Sequence, residues 1–111
     1  GYSSNGGEMA QWYPGDDYVD ILGADSYNDG PNEHLYEECM TVAPVGMPVV
    51  FHECGKIPTE EELTSTGANW LFFMTWHTEW LTDSAKGNTA ELLNQVYNGE
   101  YFITLDELPE F

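Results

Sequence analysis

Short apolar runs alternate along this chain with segments of helical periodicity. The runs occupy residues 18–24, 49–51 and 70–76, and glycine, proline or acidic residues bound each of them. Runs of this length predict buried parallel strands that are covered by helices on both faces. The alternation therefore predicts an α/β fold.

Three segments between and after these runs predict helices. From Asn32, apolar residues recur at helical spacing until Pro44; they are Leu35, Cys39, Met40 and Val42. Thr59 with Glu62 has the form of a capping box that opens a second helix, which Gly67 ends. Asn88 with Glu91 predicts the start of a third, with an apolar face of Leu92, Leu93, Val96 and Tyr97. Residues 101–109 predict a short extended segment.

Charge excludes two classes of partner. The chain carries 20 acidic and 2 basic residues, a formal net charge of −18. Such a charge repels phosphate backbones and anionic lipid, so we expect neither nucleic acid nor a membrane as a partner. A neutral polysaccharide remains open, because aromatic residues, 14% of the chain, provide the usual platform for sugars.

The 111 residues have the length of one domain, and their first residue is Gly1, not methionine. We therefore expect a processed or partial chain; no signal peptide opens it and no apolar run approaches the roughly 18 residues of a membrane span. Cys39 falls in a helical pattern and Cys54 at a strand end, so both are predicted to be packed free thiols, with a disulfide between them as the alternative.

Polar and aromatic residues follow each apolar run. They are Asp25 and Tyr27, then His52 and Glu53, then Trp76, His77 and Glu79. Because the carboxyl ends of parallel strands share one edge, we expect these side chains to line one site. Hydrolysis of a glycosidic bond needs paired carboxyl groups, and an aromatic floor suits the sugar ring. Glu53 is the leading catalytic candidate, although a salt bridge for Glu53, a loop cap for Asp25 and a core position for Trp76 are alternatives.

Several segments resemble the carboxyl-terminal part of glycoside hydrolase family 26 endo-β-1,4-mannanases. They are residues 13–23, 25–27, 53–55, 73–80 and 100–109. The resemblance implies a (β/α)8 TIM barrel, of which this chain would hold strands 6 to 8 and, in residues 1–5, the end of strand 5. Residues 1–111 would then be part of a catalytic domain that is secreted and requires no metal or organic cofactor.

The resemblance also implies roles for single residues. Glu53 matches the nucleophile of a retaining mechanism, and Tyr27 matches the tyrosine that orients it. Asp25 and Trp76 match substrate-binding positions. His77 and Trp80 lie beside them and are also expected to bind substrate, without a role in the chemistry. The family's acid/base glutamate follows a histidine at the end of strand 4, and no such motif occurs here. The expected partners are therefore β-mannan and the missing N-terminal part of the same barrel.

Two alternatives stay open at this point. The same family pattern also suits a β-1,3-1,4-glucanase or a β-1,3-xylanase. A chain of another class, a non-catalytic carbohydrate-binding domain, could use Trp12, Trp76 and Trp80 as stacking surfaces.

Overall fold

The computed structural model describes residues 2–3 and 8–110, so the rest of the predicted strand end at residues 1–5 lies outside the described residues. One parallel sheet holds four strands in the order β1-β2-β3-β4: β1 (Tyr2–Ser3), β2 (Leu22–Ser26), β3 (Val49–Cys54) and β4 (Phe73–Thr75). Each strand lies beside the next one in the sequence, which is the progression found in (β/α)8 barrels. The predicted parallel α/β fold is confirmed.

Within residues 8–110, four helices accompany the strands: α1 (Glu33–Val42), α2 (Glu60–Thr66), α3 (Glu79–Thr82) and α4 (Ala90–Asn98). Short 3-10 turns cover Met9–Gln11, Asp16–Tyr18, Ser84–Lys86 and Leu105–Glu107. No helix in the described part of the chain has the length and apolar character needed to cross a membrane.

The core lies between β2, β3 and α1. Ala24, Phe51 and Cys39 are fully enclosed there, and Leu35 on α1 is 2% exposed. Trp70 stacks on Phe51 with ring centroids 5.2 Å apart, and its indole N–H donates to the carbonyl of Pro31 at 2.8 Å. Each large apolar side chain buried in this way contributes about 1.5–3 kcal/mol, so this packing holds the segment before β4 against β3 and against the start of α1.

The boundaries of α2 are those that the sequence predicts. Thr59 Oγ1 accepts from the backbone N–H of Glu62 at 3.2 Å, and the Thr59 N–H donates to Glu62 Oε2 at 2.7 Å. The helix ends at Gly67, whose φ of 72° lies in the left-handed region that glycine adopts without strain. Both cysteines are buried and free, as predicted.

The first apolar run is shifted from its predicted place. Instead of a strand over residues 18–24, the structure has a 3-10 turn at Asp16–Tyr18 and a strand at Leu22–Ser26. The Tyr13 hydroxyl donates to Asp16 Oδ1 at 2.8 Å and the Tyr18 N–H donates to the Gly15 carbonyl, so local bonds close the turn. The strand consequently extends far enough to include Asp25.

Three further predictions need correction. The strand over residues 70–76 is regular only at Phe73–Thr75, where β4 has a single neighbour among the described strands. Met40 is 52% exposed, because α1 buries only the face that carries Leu35 and Cys39. The tail is not extended throughout but forms the turn Leu105–Glu107, which Glu107 closes by accepting from the N–H of Thr104 at 2.9 Å.

The start of α4 also differs. Thr89, not Asn88, caps this helix, and Thr89 Oγ1 accepts from the N–H of Leu92 at 3.2 Å. Asn88 is instead buried, and its side chain bonds to the loop after β3 and to the Trp80 carbonyl in α3. Of the predicted apolar face, Val96 is buried whereas Tyr97 is 50% exposed.

Candidate active site

Two carboxylates lie side by side where β2 and β3 end. Asp25 is the register partner of Glu53, after a shift in pairing between Ala24 and Asp25. The next pair, Ser26 and Cys54, is buried, whereas both acids are only partly buried. Asp25 and Glu53 therefore lie near the carboxyl edge of the sheet, one position before the buried pair that ends both strands.

Tyr27 joins this pair directly. It follows β2, and its hydroxyl donates a hydrogen bond of 2.5 Å to Glu53 Oε1. Loss of solvent around the ring, the hydrogen bond to Glu53 and the charges of Glu53 and Asp25 all raise the pKa of Tyr27 well above its ordinary value. Tyr27 is thus a protonated donor at any physiological pH, and one carboxylate oxygen of Glu53 is held in place.

The electrostatics of the strand ends favour neutral forms of the groups beside Glu53. Burial and the negative charge of Glu53 raise the pKa of Asp25, and His52 opposes this rise. Burial, followed by the charges of Glu53 and Asp25, raises the pKa of the Cys54 thiol to about 12. Cys54 therefore remains an uncharged thiol next to the two acids and carries no nucleophilic chemistry.

Trp76 follows β4 and lies next to the end of β3. Its backbone N–H donates to the Cys54 carbonyl at 2.8 Å, which ties it to the residue after Glu53. The side chain is 40% exposed, and its ring lies 4.7 Å from that of His77. Trp76 is therefore not enclosed in the core, and part of its surface is open to a ligand.

Trp80, in α3, contacts the tyrosine of the site. Its ring centroid lies 5.0 Å from that of Tyr27, and the Lys86 ammonium lies 4.9 Å from the Trp80 centroid. Lys86 also approaches Glu79 at 3.4 Å, a partly exposed ion pair. Glu79 is thereby paired with a lysine, and Trp80 packs against Tyr27.

The predicted site residues fall into two groups. The structure brings Asp25, Tyr27 and Glu53 together, with Trp80 against Tyr27, and the backbone of Trp76 tied to the end of β3. His77 is exposed and its Nδ1 lies 2.5 Å from Thr78 Oγ1, a contact within its own turn. Trp12 is 76% exposed at the end of the turn Met9–Gln11, which contacts α1. The two tryptophans after β4 thus share one region, and Trp12 belongs to another.

Sequence reasoning missed the closeness of Gly55 to two rings. A Cβ atom placed on Gly55 would lie 2.7 Å from Trp80 Cζ3 and 2.9 Å from Tyr27 Cδ1, distances that Cβ atoms do not tolerate. The only signal in the sequence is a glycine two positions after the acid. Within residues 2–3 and 8–110, no group of three or more His, Cys, Asp or Glu side chains is placed to hold a metal ion.

Comparison with known proteins gives one family. The model for glycosyl hydrolase family 26 matches residues 2–107. A mannan endo-1,4-β-mannosidase of Thermothelomyces thermophilus is 36% identical over 99 residues, which are 87% of this chain and 20% of that protein. Mannan endo-1,4-β-mannosidase A of a Piromyces species is 32% identical over 97 residues, 86% of this chain and 16% of that protein. The chain thus spans about a fifth of the length of these relatives.

Solved structures agree with this result. The Podospora anserina GH26-CBM35 β-(1,4)-mannanase superposes with a TM-score of 0.82 at 36% identity, covering 91% of this chain and 23% of the other. A β-mannanase from a symbiotic protist of the termite Reticulitermes speratus, complexed with gluco-manno-oligosaccharide, superposes with a TM-score of 0.79 at 30% identity. The match covers 92% of this chain and 32% of the other. The four-stranded sheet therefore corresponds to part of the TIM barrel of these enzymes.

Proposed function

The chain belongs to glycosyl hydrolase family 26, and on that premise we propose that it supplies the nucleophile side of the active site of an endo-acting β-1,4-mannanase. The names of its relatives support mannan as the substrate. The observation that carries the proposal is the hydrogen bond from Tyr27 to Glu53 at the carboxyl edge of the sheet. Residues 1–111 then form part of a larger catalytic domain.

In the proposed reaction Glu53 attacks the anomeric carbon of a mannosyl unit. The bond to the leaving oxygen breaks, a glycosyl ester forms on Glu53, and a glutamate elsewhere in the barrel protonates the leaving group. That glutamate then removes a proton from water, which attacks the anomeric carbon and releases Glu53. Two displacements at the same carbon retain the anomeric configuration.

The neighbours of Glu53 have distinct roles in this proposal. Tyr27, kept protonated by its raised pKa, holds one carboxylate oxygen and directs the other toward the anomeric carbon. Asp25 lies beside Glu53 and can bond a sugar hydroxyl, and the open surface of Trp76 can stack on the sugar ring. The bound gluco-manno-oligosaccharide of the termite-symbiont enzyme supports glucomannan as a substrate. Because such a polymer is met outside the cell, we extend the proposal to a secreted protein.

The test uses the full-length protein that contains this chain. Reducing ends are measured with soluble glucomannan, β-1,3-1,4-glucan and β-1,3-xylan, and NMR follows the anomeric configuration of the first product. Glu61→Gln, an exposed glutamate on α2, is the matched control for Glu53→Gln. We expect glucomannan hydrolysis with retention, unchanged in Glu61→Gln and reduced on the order of 10⁴-fold or more in Glu53→Gln.

Other results would overturn this assignment. Hydrolysis of only the glucan or the xylan would show that the substrate is wrong. Full activity of Glu53→Gln, or a protein that is retained on insoluble mannan without cleaving it, would remove Glu53 from the chemistry and favour a carbohydrate-binding domain.

A further inference from the structure

Asn88 links the loop after β3 to helix α3, and both border the site. Its side chain is 2% exposed and makes three hydrogen bonds. Asn88 Oδ1 accepts from the N–H of Ile57 at 2.9 Å, and Nδ2 donates to the carbonyls of Gly55 at 2.7 Å and Trp80 at 2.8 Å. One buried amide thus holds the loop after β3 to the segment after β4.

The atoms that Asn88 holds lie next to Tyr27. Gly55 has no room for a Cβ because the rings of Trp80 and Tyr27 close over it. The Trp80 ring packs on Tyr27 at 5.0 Å, and the Tyr27 hydroxyl reaches Glu53 Oε1 at 2.5 Å. A continuous set of contacts therefore runs from Asn88 through Gly55 and Trp80 to Tyr27 and Glu53.

We propose that Asn88 is a positioning residue for the Glu53 nucleophile, acting through the backbone of Gly55 and Trp80 and the ring of Tyr27. The proposal rests on the proposed function of Glu53. Loss of the amide leaves two carbonyls and one N–H without their hydrogen-bond partner in a buried position, so the loop after β3 and helix α3 separate to reach water or new partners. The support for the Tyr27 ring then changes, and its hydroxyl no longer stays within hydrogen-bonding distance of Glu53.

The position of Asn88 separates this role from a general contribution to folding. It precedes the Thr89 cap of α4, and the two segments that it bonds, the loop after β3 and helix α3, follow the carboxyl ends of β3 and β4. Asn98, in the last turn of the same helix, bonds only to Asn94 among the described side-chain contacts. Asn98→Ala is therefore a matched control that removes an asparagine amide without touching the site.

The experiment is a double-mutant cycle in the full-length protein, with glucomannan as substrate. Asn88→Ala is expected to lower kcat by about 10- to 100-fold, the effect of a small misplacement of a reacting group. In a Tyr27→Phe background, the same change is expected to lower kcat by less than about threefold, because the hydrogen bond that Asn88 protects is already absent. Asn98→Ala is expected to leave kcat unchanged in both backgrounds.

A second variant disturbs the same contacts from another side. Gly55→Ala places a Cβ against Trp80 and Tyr27, and we expect it to show the same loss of kcat and the same non-additivity with Tyr27→Phe. If Asn88→Ala does not fold, as judged by circular dichroism, Gly55→Ala decides the question. Losses that multiply in the double variants would overturn the inference and leave the proposed function intact. A wild-type protein that cleaves no mannan would overturn both this inference and the proposed function.

Discussion

Tyr27 and Glu53 lie 26 residues apart in the sequence, yet the Tyr27 hydroxyl donates a 2.5 Å hydrogen bond to Glu53 Oε1. Two neighbouring parallel strands bring them to the same edge, and the shift in pairing between Ala24 and Asp25 sets Asp25 opposite Glu53. Hydrogen bonds that involve a charged partner contribute more than neutral ones. The contact therefore gives the strand ends a defined geometry before any sugar binds.

Replacing Tyr27 by phenylalanine removes this hydrogen bond and keeps the ring that packs on Trp80. A hydrogen bond to a charged group contributes about 1.5–3 kcal/mol, so kcat on glucomannan is predicted to fall about 10- to 150-fold while KM changes little. Steady-state kinetics of the full-length protein measure both constants. Wild-type kcat in Tyr27→Phe would show that the hydroxyl does not act on the reacting carboxylate.

Trp76 is predicted to contribute to sugar binding through its open face. The ring is 40% exposed, and the about 0.5–1.5 kcal/mol that a pair of aromatic rings contributes is taken as the scale for a sugar ring stacked on it. Trp76→Ala is thus expected to lower kcat/KM about 2- to 12-fold or more. Trp12→Ala, at a tryptophan that is 76% exposed beside α1, is the matched control and should leave kcat/KM unchanged. Equal losses in both variants would instead indicate a shared stacking surface.

Asp25 gives a prediction for stability as a function of pH. Its pKa is raised in the folded protein by burial and by Glu53, so its ionisation costs stability at every pH above the folded pKa. This loss of stability becomes smaller as the pH falls, and it is absent once the Asp25 carboxyl is protonated in both the folded and the unfolded state. Asp25→Asn is therefore predicted to raise Tm at pH 7 and to give no gain near about pH 3, below the ordinary carboxyl range.

Thermal unfolding of wild type and Asp25→Asn at several pH values measures this difference. The same variant should lose activity, because the proposal gives Asp25 a sugar contact. A lower Tm for Asp25→Asn at pH 7 would contradict the predicted sign.

Local signals predicted much of the fold. The apolar run at residues 49–51 and the capping box of Thr59 and Glu62 depend on neighbours in the sequence, and β3 and α2 lie where these signals place them. The shift of β2 could not be predicted, because it depends on the hydrogen-bonded turn at Asp16–Tyr18. The short length of β4 could not be predicted either, because β4 pairs with one strand only among the described residues.

The site divides in the same way. Asp25, Tyr27 and Glu53 could be found because each stands at or just after the end of an apolar run. Asn88 could not be found in this way, because its partners Ile57 and Gly55 lie 31 and 33 residues away in the sequence. Its local sequence pattern also resembles a helix cap. A buried amide that bonds to a distant loop leaves no periodic or spacing signal in a single sequence.

Residues 1–111 expressed alone are predicted to be inactive and prone to aggregation. Leu71, Phe72 and Met74 are 65%, 47% and 51% exposed around β4, where strand pairing stops among the described residues. A missing general acid alone removes about 10²- to 10⁴-fold of the rate. Size-exclusion chromatography and a reducing-end assay test both statements. Clear activity that Glu53→Gln abolishes would show that Asp25 or Glu79 serves as the acid.

The central claim is that Glu53 forms a covalent bond with the substrate. A 2-deoxy-2-fluoro-β-mannosyl fluoride reacts with retaining enzymes through their nucleophile, and the fluorine slows release of the glycosyl group. Peptide mapping by mass spectrometry of the full-length protein after this treatment locates the label. We predict a fluoromannosyl ester on Glu53, with none in Glu53→Gln. A label on another carboxylate, or turnover of mannan with inverted configuration and no label, would contradict the account.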